Sequence, residues 1–222
     1  MCGRITQQLT SDEIAELFGA DSEVDGVGGR FNVAPTQDII GVVERDRQRV
    51  VTSFRWGLIP SWADSAKVGV HLINARAETV AEKASFRAPF RKQRCIIPAD
   101  AFYEWQRAGS VKVPHAIIRR DHQPLALAGL WSSWRDPATE DKIRSCTIIT
   151  TTANNTLEAV HERMPVVLPR EVWDEWLDPE NGDVLALQSL LRPSADDLLQ
   201  AYPVSTLVNN VRNDSPELLV PA

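Results

Sequence analysis

Fourteen prolines are spread along this chain of 222 residues, from Pro35 to Pro221. Because proline fixes φ and lacks the N–H donor needed inside helices and central strands, this spacing limits the chain to short elements. No apolar run approaches the roughly 20 residues that span a bilayer, so we expect no membrane association. No glycine-rich phosphate loop follows a predicted strand, which disfavours the nucleotide-binding α/β folds.

Most segments between the prolines have the composition of β-strands. The stretches 39–43 and 50–56 are rich in β-branched residues and flank a charged turn at 44–49, so they predict a hairpin. Further strands are predicted at 95–97 and 101–105, with a break at Pro98, and at 111–119, 125–131 and 143–152.

Helical signals are short and lie between the strands. The residues from Thr10 to Glu13 form a capping box ahead of Ile14, and Gly19 supplies a stop, which predicts an amphipathic helix. Other short helices are predicted at 77–83, 155–160, 171–177, 184–191 and 195–199. Mainly antiparallel strands with inserted helices predict a single α+β domain over residues 1–222, with a curved, barrel-like sheet flanked by short helices.

The 24 basic and 30 acidic residues give a net charge of −6, which argues against a generic nucleic-acid coat. The charge is unevenly distributed, however. The segment 76–94 carries six basic and two acidic residues, a local charge of +4, whereas 171–183 carries six acidic residues and no basic one. Such a basic patch on an acidic protein can hold a short piece of phosphate backbone without coating long duplexes.

The chain contains seven tryptophans, and two of them lie close to candidate polar residues. Trp62 follows a turn that begins at Trp56, and Trp105 adjoins Glu104. Exposed aromatic rings beside a basic groove stack on unpaired bases. The alternative is core packing, which is favoured for Trp56, Trp131, Trp173 and Trp176.

Cys2 is the residue with the most distinctive chemistry. The three cysteines, Cys2, Cys95 and Cys146, form no CxxC pair, so we expect neither a zinc site nor a disulfide framework. The first residues lack the apolar core of a signal peptide, which predicts an intracellular protein. If the initiator Met1 is removed, Cys2 becomes a 1,2-aminothiol, which can attack an acyl group or condense with an aldehyde to a thiazolidine. The alternative is a small, buried apolar residue at position 2.

Two segments offer groups for proton transfer. In a strand over 101–105, Glu104 shares a face with Phe102, and a carboxylate between aromatic rings has a raised pKa that suits acid–base work. His161 precedes Met164 and Pro165 at the end of a predicted helix, and a histidine titrates near working pH. Each has a structural alternative, namely a solvated edge-strand Glu104 and a packing role for His161.

A third polar segment contains Asn74 and Arg76. The Asn74 amide offers both donor and acceptor groups that can orient an amine or a sugar hydroxyl. The Arg76 guanidinium can bind a phosphate in bidentate fashion. The alternative for Asn74 is a helix N-cap.

Six motifs occur in the order of a known family. They are Met-Cys-Gly-Arg at 1–4, Phe-Asn-Val-Ala-Pro at 31–35, Arg-Trp-Gly-Leu-Ile-Pro-Ser-Trp at 55–62, Ile-Asn-Ala-Arg at 73–76, Phe-Tyr-Glu-Trp at 102–105 and His-Glu-Arg-Met-Pro at 161–165. Together they resemble the SRAP (SOS response-associated peptidase) family of abasic-site processing proteins, and the likeness runs to about residues 208–210.

The resemblance implies a sensor of abasic sites in single-stranded DNA. Cys2, after self-cleavage or enzymatic removal of Met1, is implied to form a covalent thiazolidine with the ring-opened deoxyribose, shielding the lesion from strand cleavage. It implies lyase-like crosslinking and peptidase-like self-processing in the SOS response to DNA damage. Glu104 and His161 are implied as proton-transfer groups, their division of labour being open, and Asn74 as the group that positions the amine or the sugar.

The resemblance also implies DNA contacts and partners. The implied DNA-binding residues are Arg4, Pro35, Trp62, Arg76, Trp105 and Thr150, and the basic segment 76–94 adds Arg87 as a further DNA-binding candidate. We expect abasic single-stranded DNA at replication forks as the partner, a monomeric protein, no metal and no cofactor. The expected location is cytoplasmic, and nucleoid-associated when the protein is bound to DNA.

Three alternatives remain at this point. Glutamine amidohydrolases with an N-terminal nucleophile also begin Met-Cys-Gly, although such an activity gives no reason for the basic, tryptophan-flanked segment. A non-catalytic single-stranded DNA binder would make Cys2 incidental. A protease of other proteins would need a pocket for an extended peptide, which the sequence does not indicate.

Overall fold

The computed structural model describes residues 2–222, which form two packed β-sheets with short helices around them. Its strands are β1 (Ile5–Gln7), β2 (Asp21–Ser22), β3 (Arg30–Val33), β4 (Asp38–Arg45), β5 (Gln48–Trp56), β6 (Asn74–Arg76), β7 (Arg94–Ala99), β8 (Ala101–Ala108), β9 (Val111–Arg119), β10 (Leu125–Arg135), β11 (Lys142–Thr152), β12 (Arg163–Pro165) and β13 (Leu199–Pro203).

The helices are one to two turns long. The α-helices are α1 (Ser11–Phe18), α2 (Arg87–Lys92), α3 (Trp173–Leu177) and α4 (Val184–Ser189), and 3-10 helices span Ala66–His71, Arg170–Val172, Thr206–Asn209 and Pro216–Leu219. No helix within residues 2–222 has the length and apolar character needed to cross a membrane.

Five strands close into a barrel. Around the ring, β4 pairs with β5, β5 with β11, β11 with β10, β10 with β7, and β7 with β4. Four of these pairings are antiparallel, and closure comes from the parallel pairing of β5 with β11, where Ser145 lies opposite Arg55. The α+β class and the barrel-like sheet predicted from the sequence are confirmed.

The barrel interior is packed so closely that two strand positions require glycine. A Cβ atom added at Gly41 would lie 2.9 Å from the Ile97 side chain and 3.0 Å from Phe54. One added at Gly129 would lie 2.8 Å from the Cys95 sulfur. Any larger side chain at these positions would force the neighbouring strands apart.

The second sheet is antiparallel and brings the first residues of the chain to the protein interior. Its strand order is β13–β9–β8–β1–β3. Ile5 of β1 lies opposite Phe102 of β8, and both side chains are fully buried in one apolar cluster with Cys2 and Ile117. The N-terminal strand is therefore part of the core, and its position is set by β8.

The predictions of helix α1 and of the first hairpin are confirmed. Thr10 caps α1 through the Glu13 backbone N–H, and Gly19 ends it with a left-handed φ of 59°. In the hairpin the strands extend into the predicted turn, leaving a tight connection in which Asp46 and Arg47 have φ of 50° and 63°. Positive φ at both central residues matches the twist of the flanking strands.

Three predicted helices are wrong because tertiary contacts override local preference. The segment 77–83 forms turns, since the Ala77 N–H bonds to the Thr150 carbonyl and prolongs the pairing of β6 with β11. The segment 155–160 also forms turns, held from outside by hydrogen bonds from Asn155 to Asp196. Residues 195–199 end in β13, which pairs with β9 from Leu199 onward.

The predicted break at Pro98 is also wrong. Strand β7 runs through Pro98 to Ala99, and the interruption falls at Asp100. Proline lacks only the N–H donor, so its carbonyl can still accept a hydrogen bond, here from the Gln7 amide at 2.8 Å. This contact ties β7 to β1 and so joins the barrel to the second sheet.

Candidate functional site

The backbone of β1 carries Cys2 to the side of β8. Residues 2–4 continue the direction of β1, and the Tyr103 N–H donates to the Arg4 carbonyl at 2.9 Å. The Cys2 side chain is completely buried. Burial raises the pKa of the Cys2 thiol, and the charge of Glu104 raises it further, while a backbone hydrogen bond from Arg4 acts in the opposite direction. The thiol is therefore protonated near neutral pH and lies close enough to Glu104 to feel its charge.

Glu104 is only 4% exposed, although it is a carboxylate on a strand next to the surface. It shares the inward face of β8 with Phe102, as the alternation of a strand requires. The solvated edge-strand alternative is therefore wrong. A buried carboxylate beside a buried thiol is an arrangement in which a proton can be transferred without involving bulk water.

Strands β6 and β11 place three further predicted residues together. They pair in parallel, with Asn74 opposite Ile148 and Arg76 opposite Thr150. The Asn74 Nδ2 donates a long hydrogen bond of 3.4 Å to the Ile148 carbonyl, and its buried Oδ1 accepts no hydrogen bond from residues 2–222. Asn74 lies in a strand, so the helix N-cap alternative is wrong, and its Oδ1 is an acceptor available to a ligand.

Arg76 and Thr150 differ in their accessibility. The Arg76 side chain is exposed, and its guanidinium makes no hydrogen bond or ion pair within residues 2–222. The Thr150 side chain is buried, and its hydroxyl donates to the Ala75 carbonyl at 3.4 Å. Arg76 can therefore meet a phosphate directly, whereas Thr150 can do so only if its surroundings open.

His161 is held next to this pair of strands by Arg163. The Arg163 N–H donates to Nδ1 of His161 at 2.9 Å, so Nδ1 is an acceptor and the neutral ring carries its proton on Nε2. The Arg163 guanidinium donates to the Thr150 carbonyl at 2.7 Å and to both carboxylate oxygens of Glu78, at 2.6 and 3.0 Å. These hydrogen bonds lower the pKa of Glu78.

The two parts of the site meet in one apolar cluster. Cys2 and Phe102 from the second sheet pack in the same cluster as Ile148, Leu157 and Met164 from the barrel side. Cys2 belongs to this cluster, and Glu104, Asn74 and His161 lie close in sequence to Phe102, Ile73 and Met164, which belong to it or pack against it. No group of three or more His, Cys, Asp or Glu side chains within residues 2–222 is arranged to hold a metal ion.

Arg4 and Trp105 form a polar and aromatic border beside the thiol. The Arg4 guanidinium donates to the Asn32 Oδ1 and to the Val208 carbonyl, both at 2.7 Å, and lies 5.7 Å from the centre of the Trp105 ring. Burial lowers the pKa of Arg4. The Trp105 Nε1 donates to the Asn209 side chain at 2.7 Å. A DNA phosphate would have to share Arg4 with these internal partners.

The structure does not link the other predicted DNA contacts to this cluster. Trp62 is 62% exposed in the turn after β5, Pro35 is half-buried after β3, and Arg87 is exposed on α2. Within residues 2–222, none of the three shares a hydrogen bond or an ion pair with Cys2, Glu104, Asn74 or His161. Their role as DNA contacts therefore stays a prediction.

The basic segment 76–94 needs one correction. Arg94 is buried, and its guanidinium donates to backbone carbonyls that include those of Trp176 at 2.6 Å and Phe90 at 2.8 Å. Burial lowers its pKa to about 10. The other five basic residues and both acidic ones are exposed, so the solvent-facing charge of the segment is +3 rather than +4. Arg94 is a structural residue that fastens the end of α3.

Core packing is confirmed for three tryptophans. Trp56, Trp173 and Trp176 are buried, whereas Trp131 is half-buried. Asn32 and Arg163 stand in two of the family motifs, but no role in the site was predicted for either of them or for Glu78. Asn32 is buried in β3 and contacts residues more than 170 positions away, which no local pattern can indicate.

One cavity of the protein lies away from this cluster. It has a volume of about 580 Å³ and lies between Arg119, the segment 167–172 and the segment 189–198. None of the predicted site residues lines it. The candidate site is therefore separate from this cavity.

Comparison with known proteins agrees with the motifs. The profile of the SOS response associated peptidase (SRAP) family matches residues 1–211. The abasic site processing protein YoqW of Bacillus subtilis is 46% identical over 222 residues, covering 99% of both chains. The abasic site processing protein HMCES of Gallus gallus is 35% identical over 200 residues, covering 78% of this chain and 58% of its own length. A crystal structure of a protein from Bacteroides thetaiotaomicron superposes with a TM-score of 0.91 at 28% identity, covering 100% of both chains.

Proposed function

The chain belongs to the SRAP family, and on this premise we propose that it processes abasic sites by binding single-stranded DNA and forming a covalent bond through Cys2. The observation that carries the proposal is the burial of the Cys2 thiol beside the carboxylate of Glu104. The relatives named as abasic site processing proteins supply the substrate class.

The chemistry begins at the α-amine of Cys2. Met1, whose removal frees this amine, lies outside the described residues. The amine adds to the aldehyde carbon of the ring-opened deoxyribose, and loss of water gives an imine. The thiol then adds to the imine carbon, its proton ending on nitrogen, and a thiazolidine results. The net reaction consumes one aldehyde and one aminothiol and releases one water.

Glu104 and His161 supply the proton transfers. Glu104 is the group whose charge reaches the Cys2 thiol, so we assign to it the protons of the Cys2 amine and thiol. His161 holds its proton on Nε2, because Nδ1 accepts from Arg163. It can therefore donate to the ring oxygen of the sugar and assist its opening.

Asn74, Arg76 and Trp62 account for recognition. The Asn74 Oδ1 needs a donor, and the Cys2 amine or a sugar hydroxyl provides one. The exposed guanidinium of Arg76 holds a phosphate, and the exposed ring of Trp62 stacks on a base. The protein thereby grips one short segment of DNA, and the bond to Cys2 makes the attachment permanent.

The test is a denaturing gel with an abasic oligonucleotide. We expect a covalent band for the wild type and none for Cys2→Ala. Cys146→Ala is the matched control, because that thiol is equally buried but lies in the barrel. An equal band from Cys2→Ala would contradict the proposal. Glu104→Gln should slow band formation by about 10²- to 10⁴-fold with DNA affinity intact, and an equal loss of affinity would make Glu104 structural.

The same samples separate the alternatives. Retardation on a native gel without a covalent band would indicate a non-catalytic DNA binder, and ammonia released from glutamine would indicate an amidohydrolase. Intact mass spectrometry reports whether Met1 is absent. We expect Met1 to be lost from the wild type by self-cleavage. If Met1 were lost only after treatment with an aminopeptidase, the protein would not cleave itself, and the proposed peptidase activity would be refuted.

A further inference from the structure

His115 lies directly across from Glu104 in the second sheet. The register of β8 and β9 pairs Glu104 with His115, just as it pairs Phe102 with Ile117 two residues earlier. Residues two apart on a strand share a face, and directly opposite Cβ atoms in an antiparallel pair are about 4.5–5.5 Å apart. Because Phe102 and Ile117 pack in the apolar cluster that holds Cys2, the side chains of Glu104 and His115 belong to that face too.

The two residues differ in their contact with solvent. Glu104 is almost fully buried, whereas His115 is half-buried. The His115 Nδ1 lies 3.1 Å from the Val113 carbonyl. A carbonyl oxygen only accepts, so Nδ1 is the donor and Nε2 is the nitrogen with the lone pair. The Nδ1 atom of His115 is thus bonded to its own strand, and the Nε2 atom can exchange a proton.

The other elements around His115 are the segment that leads into β1, the segment that precedes His161, and β13. Cys2 enters along β1, and His161 follows a segment that is tied to β8 by a 2.9 Å hydrogen bond from Gln106 to the Ala159 carbonyl. Glu158 belongs to that segment as well and is exposed. On the far side, β13 places Pro203 opposite His115, and proline does not titrate. Glu104 is the partner that the strand register sets directly opposite His115.

We propose that His115 is a positioning residue that acts through Glu104, exchanging protons between this buried carboxyl group and solvent. The inference rests on the proposed function. The Glu104 carboxyl group gives its proton to Nε2, and the imidazolium passes it to water, so the carboxylate is ready to accept again. The reverse sequence recharges Glu104, and neither direction consumes a co-reactant.

The experiment measures the single-turnover rate of crosslinking to an abasic oligonucleotide from about pH 5.5 to 8, in dilute buffer. We expect His115→Ala to be slower by about tenfold, less than the 10²-fold typical of direct acid–base catalysis because water can replace a relay. Added imidazole should restore the rate of His115→Ala and leave the wild type unchanged. His115→Gln should change the pH profile of the rate, since only the inflection that His161 contributes remains.

The control is His122→Asn, in an exposed turn whose φ of 58° suits asparagine. We expect its profile to match the wild type. A wild-type profile for His115→Gln would overturn the inference. So would a slow His115→Ala that imidazole does not restore, since that outcome indicates packing alone. A wild type without a Cys2-dependent band refutes the proposed function instead, and the inference falls with it.

Discussion

Asn32 joins the first residues of the chain to the segment 205–213, and its replacement by alanine should destabilise the protein by a calculable amount. Its Oδ1 accepts from the Arg4 guanidinium at 2.7 Å, and its Nδ2 lies 2.7, 3.1 and 3.3 Å from the carbonyls of Asn213, Asn210 and Val208. The amide has two hydrogens, so two of these three contacts can be strong together. One bond to a charged donor contributes about 1.5–3 kcal/mol and each neutral bond about 1 kcal/mol.

Because water replaces part of this network in the variant, we expect Asn32→Ala to lower the free energy of unfolding by about 3 kcal/mol. For a chain of this size, that corresponds to a Tm lower by roughly 6–12 °C. Thermal unfolding followed by circular dichroism gives this number. The control is Asn210→Ala, since the exposed side chain of Asn210 accepts only a local bond from the Arg212 N–H at 3.1 Å. If the two variants melted within about 2 °C of each other, the network would not be stabilising the fold.

Two further predictions concern charged groups. Arg76→Ala should weaken binding to single-stranded DNA and reduce the slope of log affinity against log salt concentration by about 0.7–1. Fluorescence anisotropy measures this slope. The control is Arg135→Ala, since Arg135 is an exposed arginine of the β10–β11 hairpin. An unchanged slope would remove Arg76 from the phosphate contacts. Arg163 lowers the pKa of Glu78 below its ordinary value of 4.5, so this pair stabilises the fold above that pH, and the gain disappears as the pH falls through the lowered pKa. Because the Glu78 side chain is 47% exposed, Glu78→Gln should lower the free energy of unfolding by less than about 1 kcal/mol at pH 7, measured by urea unfolding. The unfolding free energies of the variant and the wild type should become equal at lower pH. A difference that stays constant with pH would contradict this prediction.

The features predicted well from sequence are those decided within a few residues. The cap of α1 depends on Thr10, Glu13 and Gly19, which are neighbours in the chain. Strand β9 was predicted with its observed bounds, because four of its nine residues are the β-branched Val and Ile. By contrast, β13 was not predicted, and a helix was predicted over 195–199 just before it, since only the pairing of β13 with β9 makes it a strand.

For the candidate site too, the sequence predicted individual residues but not the contacts between distant parts of the chain. The residue types around Cys2 and Glu104 indicated their chemistry, and the pairing of β1 with β8 brings them together. The pair of Glu78 and Arg163 is separated by 85 residues, so no spacing could indicate it. Arg94 was counted with the surface charge, because a sequence cannot show that carbonyl groups of α2, of α3 and of the segment after α3 surround its guanidinium.

The hydrogen bond between Arg4 and the Val208 carbonyl spans 204 positions. A growing polypeptide emerges from the ribosome N-terminus first. The hydrogen bond of Arg4 to Val208 therefore cannot form until nearly the whole chain has been synthesised. Until then the Arg4 and Asn32 side chains lack the carbonyl partners that residues 208–213 provide. This network of hydrogen bonds can therefore close only near the end of synthesis, after the strands that surround Cys2 have been made.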